Sequence, residues 1–337
     1  MATRQMQCAV WYGPNNVRLE QRPVAEPRGS ETLVRVVACG LCATDLHAID
    51  GSIPLYQPPR ILGHEAVGVV EAVGPQVRHV RPGDRVALDT SVPCDVCYYC
   101  HEARPFLCLD RTHTFGYLAE YTLAPARVVH RLPDDVPTDH GALAEPLSCV
   151  LHAVELAPVQ AGCSAAVVGA GAIGLLTVQV LRRMGVQRLL VSDPDPDRRE
   201  LALRMGATHA ADPRAEDVGE VAKAITDGVG VDLAFEAVGA AATVEAAISL
   251  PRRGGTVVLV GVAPGNAQVT VRPYELFARE LTIRASAMRA FEFSRAVRVL
   301  ALLDIAPFVQ TQIPLARLPE ALELSRSRAA PKILVRP

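Results

Sequence analysis

Apolar residues follow two different rhythms along this chain, and the change comes near residue 156. From about residue 6 to 150, short runs rich in β-formers, such as 32–38 and 66–73, are separated by breakers including Gly74-Pro75 and Pro82-Gly83-Asp84. Runs of that length between such breakers predict strands, and this half is expected to be a partly open β-barrel. After Leu156, strand-length apolar runs alternate with helix-length segments at 165–168, 172–184, 188–192, 196–205, 231–235 and 256–260. That alternation predicts a doubly wound parallel sheet, because parallel neighbours need a crossover between them. A strand-like stretch at 281–285, an amphipathic segment at 291–303 and a β-rich tail at 332–335 complete the chain. The tail matches the first half and is expected to return to it. The pattern therefore gives an α/β protein of two domains, 1–155 with 286–337, and 156–285.

Composition adds exclusions. Half of the 337 residues are apolar, enough for two cores. A net charge of −2 gives no basic field for nucleic acid, and no run of like charges suits a membrane surface. The chain begins Met-Ala-Thr-Arg without an apolar leader, and no segment is long enough to cross a bilayer, so a cytoplasmic protein acting on a small molecule is expected. Lys223 and Lys332 are the only lysines among many arginines, which reads as coding bias without function. Cys8 and Cys163 read as small apolar residues.

Four other cysteines, Cys94, Cys97, Cys100 and Cys108, stand at C-x2-C-x2-C-x7-C. Neither helix nor strand periodicity asks for that spacing, and a cytosolic setting disfavours disulfides. Tetrahedral Zn²⁺ takes four thiolates at about 2.3 Å, which two short turns can supply. With every corner occupied by sulfur, such a site is structural, within a lobe at about 93–109.

The stretch Gly169-Ala170-Gly171-Ala172-Ile173-Gly174 places G-x-G-x-x-G directly after a predicted strand and at the start of a predicted helix. The first glycine makes a tight turn, the second admits a pyrophosphate, and the third lets helix and strand pack closely over a partly positive helix end. The next strand ends at Asp193, nineteen residues after Gly174. A carboxylate there binds both hydroxyls of the adenosine ribose and repels a 2′-phosphate, so NAD is expected over NADP. Arg198 is a candidate lid on the adenine, and Val238, Val260 and Gly261 complete the expected cofactor contacts.

Metal-type side chains also occur at Cys42, His64, Glu65 and Glu145, each beside a turn. A catalytic zinc needs three protein ligands and an open position, which Cys42, His64 and either glutamate can provide.

With these residues in view, the chain resembles the zinc-dependent medium-chain dehydrogenases/reductases, and within them the sorbitol and threonine dehydrogenase branch. The matching elements are Cys42-x-Thr44-Asp45-x-His47, Gly63-His64-Glu65-x2-Gly68, the four-cysteine lobe, Ala119-Glu120-Tyr121, Glu145-Pro146-Leu147 and Gly169 to Gly174. They extend over essentially the whole length. The resemblance implies a GroES-like catalytic domain beside a Rossmann domain, two zinc ions per chain, and a homodimer or homotetramer. It implies Cys42, not Cys39, as the catalytic thiolate. A glutamate is then the third ligand, with Glu145 favoured over Glu65 and Cys149 set aside.

By the same resemblance the zinc acidifies a substrate hydroxyl, and hydride passes to NAD⁺. Thr44 takes the alcohol proton and relays it through the nicotinamide ribose to His47, while Asp45 fixes His64. The pocket is expected from 46–59, 113–115 and 286–289, with Phe115 and Arg289 facing substrate. The implied reaction interconverts a secondary alcohol (polyol, sugar, aminocyclitol or hydroxy amino acid) and its ketone. Two other readings are a zinc-free double-bond reductase, which would lack the ligands at Cys42, His64 and Glu145, and a non-catalytic NAD-binding protein, against which Thr44 and His47 argue.

Overall fold

The computed structural model describes residues 4–52, 57–288 and 292–337. Among them, the chain up to Pro146 and from Glu292 onward forms one compact unit, and Leu147 to Met288 forms another. The division falls within the helix Ala144–Glu155.

The first unit is a partly open barrel. Its longest strand, Glu31–Gly40, pairs along one edge with Glu65–Val73, and along the other first with Tyr121–Pro125 and then with Ile333–Arg336. Arg85–Leu88 and Val129–Arg131 extend one flank and Thr311–Pro314 the other, giving seven strands. Register shifts between Leu33 and Val34 and between Val36 and Ala38 bend the long strand so that it serves three partners. Alternate residues of the strands turn inward: Val34, Val36, Val70, Val86, Leu88 and Val335 are buried together. A smaller sheet of Val17–Pro23, Gln5–Trp11 and Arg60–Ile61 lies in the same unit. The tail strand Ile333–Arg336 aligns Leu334 with Gly40 and Val335 with Cys39, and Gly40 also faces Glu65. Three distant segments meet at that end of the barrel.

The second unit is a six-stranded, wholly parallel sheet. Its order is His209–Ala211, Arg188–Ser192, Ser164–Val168, Val231–Glu236, Pro251–Leu259, Thr282–Ala285. Ser164–Val168 is fully buried, as a central parallel strand must be, and after Ser164 it reads as an unbroken apolar run. From it the chain winds outward first to one side and then to the other, so its C-terminal end is the switch point where such sheets bind ligands. Asp232 joins two strand starts by accepting from the backbone and hydroxyl of Ser164, both at 2.7 Å. No described helix is long and apolar enough to cross a membrane.

Candidate metal centre and dinucleotide site

Cys42 caps the helix Ala43–Asp50, and Asp45 closes the cap by accepting from the Cys42 backbone N–H at 3.0 Å through Oδ2. Its other oxygen, Oδ1, lies 3.1 Å from His64 Nδ1. One buried carboxylate thus fixes the positions of both a thiol and an imidazole, as a second-layer group should. Cys42 Sγ, an atom of His64 and a Glu65 oxygen all lie within 4.8 Å of one another, close enough to share one ion. Oε2 of Glu65, with an ammonium 2.7 Å away as its close polar neighbour, is buried. Gly40 makes room for it, since a Cβ there would sit 2.2 Å from that oxygen.

Charge at this centre suits a cation. Burial lifts the Glu65 carboxyl above its ordinary value, with Lys332 and His64 opposing and Glu145 reinforcing. Burial pulls the His64 imidazolium down, but Asp45 and Cys42 outweigh it and the net direction is strongly upward. A divalent ion would answer the same negative field. Cys39, fully buried, has its thiol pushed up by burial and lies outside the converging group. The sequence favoured Glu145 as third ligand; in the structure Glu65 joins Cys42 and His64, and Glu145 acts on Glu65 through its charge.

Two partners here were not anticipated. Lys332, read as coding bias, is buried with its ammonium 2.7 Å from Glu65. That reading is corrected: a side chain remote in sequence is a fixed part of the centre. Ser52 is the second, its hydroxyl 3.0 Å from His47 Nδ1 after Gly51 ends the helix in a left-handed turn. Thr44 Oγ1 stands 3.5 Å from Cys42 Sγ. The Phe115 ring meets His64 edge-on with centroids 5.6 Å apart and stacks on His113 at 5.0 Å. Arg289 lies outside the described residues, as do 53–56 of the expected pocket loop.

The four-cysteine lobe is closed by Ser91–Val92 pairing with Thr112–His113. None of the nine cysteines, all of them among the described residues, forms a disulfide. Sγ of Cys97 lies 3.6 Å from that of Cys100 and 3.9 Å from that of Cys108, and Cys94 is 4.0 Å from Cys100. Zinc–sulfur bonds of about 2.3 Å require tetrahedral edges of about 3.8 Å, so the arrangement fits. Backbone N–H groups of Leu109 and Cys100 lower the Cys97 thiol to about 6, and that of Cys94 lowers Cys108. Desolvation and the neighbouring thiols raise Cys100 to about 12, a conflict that a shared cation removes.

At the switch point of the second unit, Gly171 caps the helix Ala172–Arg183. A Cβ on Gly174 would lie 1.9 Å from the carbonyl oxygen of Gly169, so only glycine lets the helix start so close to the strand. Val238 packs against Gly169, while Val260 and Gly261 donate their backbone N–H to the Glu236 carbonyl at 2.8 and 3.0 Å. The glycine run, Asp193, Val238, Val260 and Gly261 thus share one edge of the sheet. Asp193 Oδ2 accepts from the Ala170 N–H at 2.8 Å and Oδ1 from Asp195 at 2.9 Å. Arg198 pairs loosely with Asp195, at 3.7 Å. Glu236, not singled out in the sequence, holds the loop beyond its strand by accepting from Val238, Gly239 and Thr243.

These parts define a nicotinamide-dependent oxidoreductase of the zinc type. Comparison with known proteins agrees. Residues 28–134 match the model of the alcohol dehydrogenase GroES-like domain and residues 172–303 that of the zinc-binding dehydrogenase. The sorbitol dehydrogenase of Bacillus subtilis (strain 168) is 32% identical over 330 residues, covering 95% of this chain and 93% of its own. The L-threonine 3-dehydrogenase of Pyrococcus abyssi is 34% identical, covering 81% and 79%. A zinc-binding dehydrogenase structure from Sinorhizobium meliloti 1021, bound to NADP, superposes with a TM-score of 0.94 at 34% identity, covering 99% of this chain and all of that one. The chain belongs to the zinc-type medium-chain dehydrogenase/reductase family.

Proposed function

We propose that this protein interconverts a secondary alcohol and its ketone with NAD(H), on a polyol, sugar, aminocyclitol or hydroxy amino acid. The observation that carries the reading is the convergence of Cys42 Sγ, a His64 ring nitrogen and a Glu65 carboxylate oxygen within 4.8 Å of one another. A set of one cysteine, one histidine and one carboxylate leaves a fourth position for substrate oxygen. The names of the sorbitol and threonine dehydrogenase relatives support the substrate class. When bound, zinc would polarise the hydroxyl as a Lewis acid and NAD⁺ would accept hydride.

The residues divide the remaining work. Asp45 holds His64 and the Cys42 turn in place; Glu65 and Glu145 supply carboxylate to the centre. Thr44 takes the alcohol proton, and His47, steadied by Ser52, passes it to solvent. Phe115 walls the centre beside His64. The cysteine lobe holds a second, structural zinc.

NAD is favoured over NADP because Asp193 follows the strand Arg188–Ser192 at the switch point, where a carboxylate would repel a 2′-phosphate. The NADP-bound relative makes this a point to test directly. Self-association finds support in the edge strand Thr282–Ala285, exposed throughout, beside Tyr274 and Phe277 at 77% and 81% exposure. A cytoplasmic location accords with nine cysteines that form no disulfide.

A panel of polyols, sugars, aminocyclitols and L-threonine with NAD⁺ or NADP⁺, followed at the nicotinamide absorbance, tests the reading. Turnover of none of them, with two zinc ions bound, would refute the substrate class. One bound zinc would favour a non-catalytic dinucleotide binder, and none the zinc-free reductase.

A further inference from the structure

Lys332 is 7% exposed, and its ammonium stands 2.7 Å from each oxygen of Glu65, itself 1% exposed. The ammonium also donates to the carbonyl of Leu41 at 3.2 Å, one residue before Cys42. Strand register builds both contacts in, because Gly40 faces Leu334 on one side and Glu65 on the other. Leaving either charge buried alone would be costly, so each holds the other. Burial draws the ammonium toward neutrality, but Glu65 and Cys42 outweigh it and its pKa moves upward. Both carboxylate oxygens face the ammonium, Oε1 as its hydrogen-bond acceptor and Oε2 as an equally close ion-pair partner.

We propose that Lys332 is a positioning residue that holds Glu65 beside Cys42 and His64 and shares the negative charge of both its oxygens, weakening the carboxylate as a metal ligand. The inference rests on the reading of Cys42, His64 and Glu65 as the catalytic metal centre. Two physical consequences follow from the pairing. A carboxylate that shares its charge with a lysine is a weak ligand, able to yield its place to a substrate oxygen. The ammonium also repels any cation the trio holds, so the chain gives up metal affinity in return for an exchangeable ligand.

The test uses the full chain with cobalt in the Cys42 centre and zinc kept in the cysteine lobe. Lys332→Met is expected to lose cobalt to a chelator at least tenfold more slowly than the wild type, with an altered d–d absorption spectrum as both Glu65 oxygens become free to ligate. Lys332→Arg is expected to restore wild-type behaviour, and Glu65→Gln combined with Lys332→Met to abolish the gain. A folded Lys332→Met protein with wild-type spectrum and release rate would overturn the proposal, as would faster release. If that variant does not fold, Lys332→Gln, uncharged but still able to donate one hydrogen bond, carries the same expected and contrary outcomes. Wild-type protein that takes up a single metal ion, in the lobe, would overturn both the reading of the centre and this inference. Two ions bound with an unresponsive Lys332→Met protein would overturn the inference alone.

Discussion

Asp45 and His64 form a buried pair in which the carboxylate Oδ1 lies 3.1 Å from Nδ1 of the imidazole, while Oδ2 of the same group accepts from the backbone of Cys42. The pair leaves only Nε2 of His64 for a metal. Asp45→Asn keeps the size of the side chain and removes its charge. Loss of such an outer partner typically weakens metal binding by about 10–100-fold. Zinc content after dialysis against a graded chelator measures it; unchanged content would mean that Asp45 serves only the helix cap.

Thr44 places its hydroxyl oxygen 3.5 Å from the Cys42 sulfur. Thr44→Val removes the hydroxyl at nearly constant volume and is expected to lower kcat by about 10²–10⁴, the usual worth of a positioned proton-transfer group. NAD binding and zinc content should stay as they were, and Thr44→Ser should recover most of the rate. His47→Gln is expected to cost less, because water can replace the imidazole.

Asp193 does more than await a ribose. Its Oδ2 is already bound to the Ala170 N–H inside the glycine run. Asp193→Ser should therefore improve the ratio of kcat/KM for NADP over NAD while weakening NAD binding by more than tenfold, read by quenching of nicotinamide fluorescence. A wild-type preference for NADP would overturn the assignment outright.

The cysteine lobe predicts a separable defect. Cys100→Ser removes one corner of a closed tetrahedron. It should release one of two zinc ions and lower the Tm, while protein that remains folded keeps the Cys42 centre and its turnover per catalytic zinc. Metal analysis alongside calorimetry distinguishes this from loss of both ions.

Acid stability should depend on Asp232. Burial raises its carboxyl, but hydrogen bonds from Ser164 and the Arg252 guanidinium outweigh that and hold it below the ordinary 3.8. A depressed native value means stabilisation that is complete above the unfolded value and is lost as pH falls from about 4 through the native one. Asp232→Asn should be less stable near neutrality and should show a flatter decline below pH 4, measured by chemical denaturation across that range.

Sequence by itself determined whatever lies within a short span of chain. The cysteine quartet and the glycine run each encode one turn, and their spacing alone fixes how sulfurs or amides converge. The change in apolar rhythm separated a barrel from a parallel sheet for a similar reason, since strand and helix periods are local properties. Ligand types were legible too: donor chemistry points to Cys42, His64 and a glutamate, either Glu65 or Glu145, with the family resemblance favouring Glu145. Tertiary structure decided which carboxylate stands with the thiol and imidazole, and it brought in Lys332, which lies 267 residues from Glu65. It also set Glu236 over the cofactor loop and Ser52 behind His47. The physical reason is that a buried charge is placed by the strand register around it. The pairing of Gly40 with both Glu65 and Leu334 is settled only when the ends of the chain close the same sheet.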